Sequence, residues 1–176
     1  KSVTEFKDKL KSDAQANFVN QTDQKLLNDI NDYLIENTKF DLPVSFLKKW
    51  MMTAGENKLS EKEAEEEYVK SEKGLRYQLI EGKIIEENEI KIDFEQIKNF
   101  SKDLIKIQMK QYGQNNPDEK ELDSISERVL SNKEEVKRIS DQLLSQKLIK
   151  LFKLNLKFKN NKVSYEKFIE MAYAKN

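Results

Sequence analysis

The side chains that most often do covalent chemistry are missing from this sequence. It has no cysteine, which removes a thiol nucleophile, a disulfide framework and any cysteine-ligated metal. It has no histidine, and with that go the commonest general base and the Glu-x-x-His pairs of di-iron helical bundles. Carboxylates, lysines and tyrosines remain, but no spacing pairs an acid with a base or a nucleophile. No Gly-rich loop is present to cradle a phosphate, so no cofactor is expected. The acidic run Glu65-Glu66-Glu67 reads as a solvated helix face rather than a metal site. The groups with most to offer are large apolar ones beside a stronger helical stripe or near a helix end: Phe46, Trp50 and Met51, then Met109 and Tyr112, then Phe168 and Met171. Their chemistry is noncovalent. Burying one such exposed side chain on a partner releases about 1.5–3 kcal/mol, less the entropy of ordering it. The methionines add flexible thioethers that adapt to varied surfaces.

Composition narrows the setting for these groups. Charged residues make up 36% of the 176, against roughly 25% in an ordinary globular domain. The 32 basic and 32 acidic side chains cancel and are finely interleaved, as from Glu61 to Lys73, so no basic face suited to nucleic acid is expected. No run approaches the length of a membrane span, and the opening KSVTEFKDKL is not a signal peptide. Opening on Lys1 rather than Met, the chain reads as a piece of a longer protein, with a cytoplasmic location the expectation. Gly and Pro number only four and two, which permits long uninterrupted helices.

The elements that must position the apolar groups are helices. The first is expected from about Thr4 to Asn37, roughly 50 Å long. Phe6, Leu10, Ala14 and Phe18 form one stripe, and Leu26, Ile30 and Leu34 a second, offset one that should pack on a different neighbour. Pro43 suits the first turn of a second helix carrying Phe46, Leu47, Trp50 and Met51. Ser60 and Glu63 form a capping box for a third helix reaching about Glu87, and Asp93 with Gln96 caps a fourth running to about Tyr112. Gly113 is a left-handed stop. Asn116-Pro117 opens a fifth helix striped by Leu122, Ile125 and Val129. Ser131 with Glu134 offers a capping box, so that a sixth helix begins there or continues the fifth with a kink. The stretch LNLKFKNNKVSY alternates like a strand or extended segment, and Ser164 caps a short last helix. The fold class is all-α. Long single-stripe helices this rich in charge cannot all surround one core, so the shape expected is elongated, with two protruding helical arms.

Several of these segments, in this order, resemble one family. TEFKDKLKSDAQANFVNQTDQKLLNDINDYLIENTKFDLP looks like its long first helix and exit turn, with Asp41-Leu42-Pro43 and then Val44-Ser45-Phe46-Leu47 matching an acidic-apolar-Pro step and a short apolar helix. Leu75 to Phe100 fits the end of a charged helix, an Asn-centred turn and a capped restart. Ser126 to Ala172 is comparable with a long helix, an extended return and a short amphipathic helix. Across essentially the whole chain this resembles the carboxy-terminal chaperone domain of bacterial trigger factor. The resemblance implies the body and arms of an open cradle, similar to that of periplasmic SurA-like chaperones. It implies ATP-independent binding of apolar segments of nascent or unfolded polypeptides, delaying their aggregation. The family's Gly-Phe-Arg-x-Gly-x-x-Pro ribosome-docking signature and its isomerase domain are absent. Ribosome contact is therefore expected only through a missing N-terminal domain, and prolyl isomerisation falls on no residue here. The polar tip from Gly113 to Ser126 is not where client contact is expected.

Bland readings stand beside this one. Ile80, Ile84, Ile97, Leu104, Leu143 and Leu148 are central in their stripes and expected as ordinary core. A helix as short as the second cannot bury Phe46, Leu47, Trp50, Met51 and Met52 on one face, so some of them line a surface. Phe158, Phe168, Met171 and Tyr173 read equally as a closing clasp or a binding patch. A helical adaptor with one defined partner, or a homodimer through the same apolar surface, stays open as the alternative function.

Overall fold

Seven helices make up the regular structure in the computed structural model of the chain, which describes residues 2–55, 58–114 and 116–173. They are α1 (Val3–Asn37), α2 (Val44–Ala54), α3 (Glu61–Glu87), α4 (Phe94–Gln111), α5 (Glu119–Leu130), α6 (Lys133–Asn155) and α7 (Tyr165–Tyr173). The chain is all-α, as its periodicity implied.

Local chemistry sets the helix ends. Ser60 Oγ accepts the Glu63 N–H at 3.3 Å while the Glu63 carboxylate accepts the Ser60 N–H at 2.8 Å. Asp93 and Gln96 reciprocate in the same way at 2.8 and 3.4 Å. Each pair satisfies two of the backbone donors that a helix start leaves open. Ser131 does not cap α6. It still has helical backbone angles as the last cap of α5, and its Oγ donates to the Arg128 carbonyl at 2.7 Å. Asn132, which is extended, takes the role by accepting the Glu134 N–H at 2.8 Å. Pro43 sits one position earlier than expected, as the cap residue before Val44. The strand-like alternation at Leu154, Leu156 and Phe158 forms no strand, because α6 runs on through Asn155 and residues 156–164 are irregular.

Two helices stop by the same device. At the end of α4, Gly113 has a φ of 88°, its N–H reaches the Lys110 carbonyl at 3.1 Å, and the Gln114 N–H reaches the Met109 carbonyl at 3.0 Å. At the end of α3 the same pair of bonds runs from Glu89 to Glu86 at 3.2 Å and from Ile90 to Ile85 at 2.9 Å. This is the Schellman arrangement, which requires a left-handed residue just past the helix. In α3 that residue is Glu89, at φ 51°. A side chain there crowds its own backbone, unlike the glycine of α4.

Contacts divide the chain into two units, residues 1–90 and 91–176. In the first, α3 is the support on which both α1 and α2 pack. Leu27, Leu42, Ala64, Tyr68 and Ile80 are its buried apolar residues. Lys73 of α3 pairs with Asp32 of α1 at 2.8 Å. Arg76 pairs with Glu72 at 3.0 Å, donates to the Phe40 carbonyl at 2.8 Å and lies 5.3 Å from the Phe40 ring centre. One guanidinium thus anchors the exit turn of α1 on α3. The first half of α1 behaves otherwise. Its stripe was expected to pack on a neighbour, yet every residue from 2 to 20 is exposed, Phe6 to 61%. Burial begins only at Gln21, where Leu26, Ile30 and Leu34 are half-buried around Leu27.

In the second unit α4, α5 and α6 pack pairwise. Ile97, Leu130 and Ile139, one from each helix, form a buried cluster flanked by Phe100, Leu104, Val136 and Leu143. Along the α4–α5 seam the buried residues repeat every four positions, Ile97, Ser101 and Ile105 against Leu122, Ser126 and Leu130. At its centre the two serines are buried and bonded, Ser126 Oγ to Ser101 Oγ at 3.1 Å. Beside the seam runs a ladder with the same spacing. Lys98 meets Glu127 at 3.2 Å, Lys102 meets Asp123 at 2.6 Å and Lys106 meets Glu119 at 2.9 Å. Lys98 also reaches Asp123 at 3.3 Å.

Two outcomes follow from these features. Glu89→Gly should relieve the left-handed strain at the end of α3 and raise stability by up to about 1 kcal/mol, read as a higher denaturant midpoint. In the ladder, Lys102 above all holds the Asp123 carboxyl below its ordinary 3.8. A depressed carboxyl stabilises at pH above 3.8 and loses that contribution as pH falls through its folded value. Glu127 and Glu119 hold the Lys98 and Lys106 ammonium groups above their ordinary 10.5, so their contribution persists up to that pH and fades beyond it. Lys102→Glu should lower the thermal midpoint at neutral pH, and adding Asp123→Lys should restore much of it. Melting both variants across pH and in molar salt, which screens exposed pairs, checks the assignment.

Candidate functional site

The apolar groups singled out in the sequence fall on three helices, in pairs set by helical spacing. On α2 the orientation is fixed by Lys48, which pairs with Glu65 of α3 and lies 5.4 Å from the Tyr68 ring centre. Successive residues turn about 100° around a helix, so positions two before and two after Lys48 face away from α3. These are Phe46 and Trp50, exposed to 64% and 53%. They stand one turn apart as an aromatic pair on the outward face. Met51 and Met52 are half-buried, and Met51 extends the inward stripe of Val44, Leu47 and Lys48.

On α4 the split is the same. Met109 continues the buried series Ile97, Ser101 and Ile105 by one more turn and is half-buried, whereas Tyr112 at the cap is 83% exposed. On α7, Phe168 is half-buried with Ile169 and Ala172, and Met171 is exposed. The structure therefore separates the seven candidates by exposure. Phe46, Trp50, Tyr112 and Met171 are open to solvent, while Met51, Met109 and Phe168 sit at the edges of packed faces. Phe46, Trp50 and Met51 belong to unit 1 and the other four to unit 2.

Of the residues assigned to core, Ile80, Ile97 and Leu148 are buried, and Ile84, Leu104 and Leu143 are half-buried. Several apolar side chains not singled out are as open as the candidates, among them Tyr33, Val69, Leu79, Phe94 and Ile107. Phe94 and Ile107 have charged or polar residues on both sides in sequence, whereas Tyr33, Val69 and Leu79 adjoin Leu34, Tyr68 and Ile80, so no common pattern marks their exposure. Ile107 borders a shallow hollow of about 380 Å³ with Lys106, Lys110, Asn116, Pro117 and Glu119. Lys106 and Glu119 in that hollow already neutralise one another. Tyr77 is the most perturbed phenol. Burial first, then its hydrogen bond to Glu81 at 2.8 Å, pushes its acidity far out of the physiological range, so it serves as a hydrogen-bond donor. Among the described residues no helix is long and apolar enough to cross a membrane.

Dispersed aromatic groups on charged helices can take up apolar surface from another molecule at several separate points. Each contact is small, and several engaged together add up. The charges between them keep any single apolar patch from becoming an aggregation site.

Residues 22–172 match a family model described as probable trigger factor, C-terminal domain. No curated protein and no solved structure matches the chain. The match begins where α1 gains its cover.

The chain has one tryptophan, which makes the outward face of α2 directly observable. Trp50 should emit like a solvated indole and be readily quenched by iodide. Strongly blue-shifted, poorly quenched emission would place it in a covered site.

Proposed function

The chain belongs to the trigger factor C-terminal domain family, and on that premise we propose that it is an ATP-independent holdase for nascent or unfolded polypeptides. This domain is the chaperone part of trigger factor, not its isomerase. Unfolded chains expose apolar side chains that drive aggregation before they can be buried. A holdase shields them transiently through contacts that are weak one by one.

The observation that carries the reading is the outward placement of Phe46, Trp50 and Tyr112 on helices whose packing faces are occupied by other residues. Met171 joins them as an exposed contact, and Met51, Met109 and Phe168 supply half-buried margins that a client side chain would meet at the edge of each packed face. Client binding at these seven residues is our proposal. So are a cytoplasmic setting and a ribosome contact made through another domain of the parent protein. Interleaved charge supports weak, sequence-tolerant binding over one shape-matched partner.

The test is the triple variant Phe46→Ser, Trp50→Ser, Tyr112→Ser. Helical content should hold and stability should move by no more than about 0.5 kcal/mol per site, as for surface changes. Suppression of aggregation of two unrelated unfolded proteins should fall sharply. Unfolding of the variant would mark these residues as core, and undiminished activity would place client binding elsewhere. Saturable binding to one folded partner, with no effect on unfolded proteins, would favour an adaptor instead.

A further inference from the structure

Between α6 and α7 lie nine residues, Leu156 to Ser164, without regular structure. Leu156 takes extended backbone angles, with φ −104° and ψ 147°. Its N–H closes the last turn of α6 on the Phe152 carbonyl at 2.8 Å, and the Ser164 carbonyl accepts the Phe168 N–H at 2.9 Å. Between these two bonds, the backbone groups of Lys157 to Val163 make no hydrogen bond to the described residues. Every side chain in the segment is exposed, including Leu156, Phe158 and Val163.

Its charge is as unusual as its backbone. From Lys150 to Lys167 there are six lysines against one acidic residue, Glu166, in a chain whose net charge is zero. Apolar and cationic residues alternate through Leu156, Lys157, Phe158 and Lys159. In an extended conformation successive side chains point to opposite faces, so such a segment would present leucine and phenylalanine on one side and lysines on the other.

We propose that Leu156–Ser164 is a docking strip for extended polypeptide segments in which acidic and apolar residues alternate, and that the client pairs with it backbone to backbone as an added strand. The inference rests on the client-binding reading above and adds a client chemistry to it. A partner that replaces water on N–H and C=O groups lying side by side must supply both acceptors and donors, which a peptide strand does. A phosphate surface supplies acceptors alone and would leave the carbonyls unserved. In register, the client's carboxylates meet Lys157 and Lys159 while its apolar residues cover Leu156 and Phe158.

The experiment titrates the whole chain, observed by amide NMR, with three short peptides: one alternating Glu with Val, one of the same composition with its Glu residues in a block, and one alternating Lys with Val. The alternating acidic peptide should shift the amides of Leu156–Ser164 and slow their exchange with solvent. It should bind more tightly than the blocked peptide and lose affinity as salt rises. Lys157→Glu with Lys159→Glu, which leaves every helix untouched, should weaken it about tenfold or more. Equal binding of the Lys–Val peptide, or shifts confined to other segments, would overturn the proposal. So would tighter binding of a single-stranded oligonucleotide or an anionic-lipid vesicle at the same amides. Aggregation assays on the lysine double variant separate the two claims. Loss of neither peptide binding nor holdase activity would sink the strip alone, whereas absence of holdase activity in the unaltered chain would sink the parent reading.

Discussion

A helix with one apolar stripe is stable only when something covers that stripe, and each unit is arranged by this requirement. In residues 91–176 three stripes meet, so Ile97, Leu130 and Ile139 bury one another, and their neighbours fill the space around them. In residues 1–90 the coverage is uneven. α3 receives both α2 and the later part of α1, while the first eighteen or so residues of α1 keep their stripe in water. Burial of apolar area is the main favourable term in folding, so the uncovered part of α1 adds least to stability.

Charge does a different job here from burial. Isolated surface ion pairs contribute little, and several here, such as Lys83 with Glu86 or Lys167 with Glu170, are local pairs within one helix. The α4–α5 ladder and the Lys73–Asp32 and Lys48–Glu65 pairs instead join separate helices. They orient elements that burial alone would leave free to rotate. Lys48 illustrates the link to function: by tying one face of α2 to α3 it turns Phe46 and Trp50 outward.

What the sequence reveals depends on how local the physics is. Helix limits were legible to within a residue or two for α1, α3 and α4, because capping boxes and a glycine stop act within four residues. Ser131 misled because two adjacent candidates competed, and the backbone angles that chose Asn132 belong to the preceding helix. Glu89 left no mark, since nothing in a glutamate announces a left-handed backbone. Burial was legible only in part. Periodicity shows that Phe6, Leu10 and Phe18 share a face but not whether anything lies against it, and it gave Met51 and Met109 no advantage over Trp50 and Tyr112. The lysine and carboxylate repeats were visible as spacings, but their pairing depends on the antiparallel turn between α4 and α5.

That pairing carries an ambiguity of its own. Rungs spaced by four residues look alike after a shift of one helical turn, and sliding α5 past α4 by that amount would still match two lysines with two carboxylates. The serines remove the degeneracy. Such a slide would set Ser101 against Leu122 and Ser126 against Ile97, burying two hydroxyls without partners at about 1–3 kcal/mol each. The ladder brings the helices together in the right sense, and two small hydroxyl groups decide which of the look-alike alignments survives.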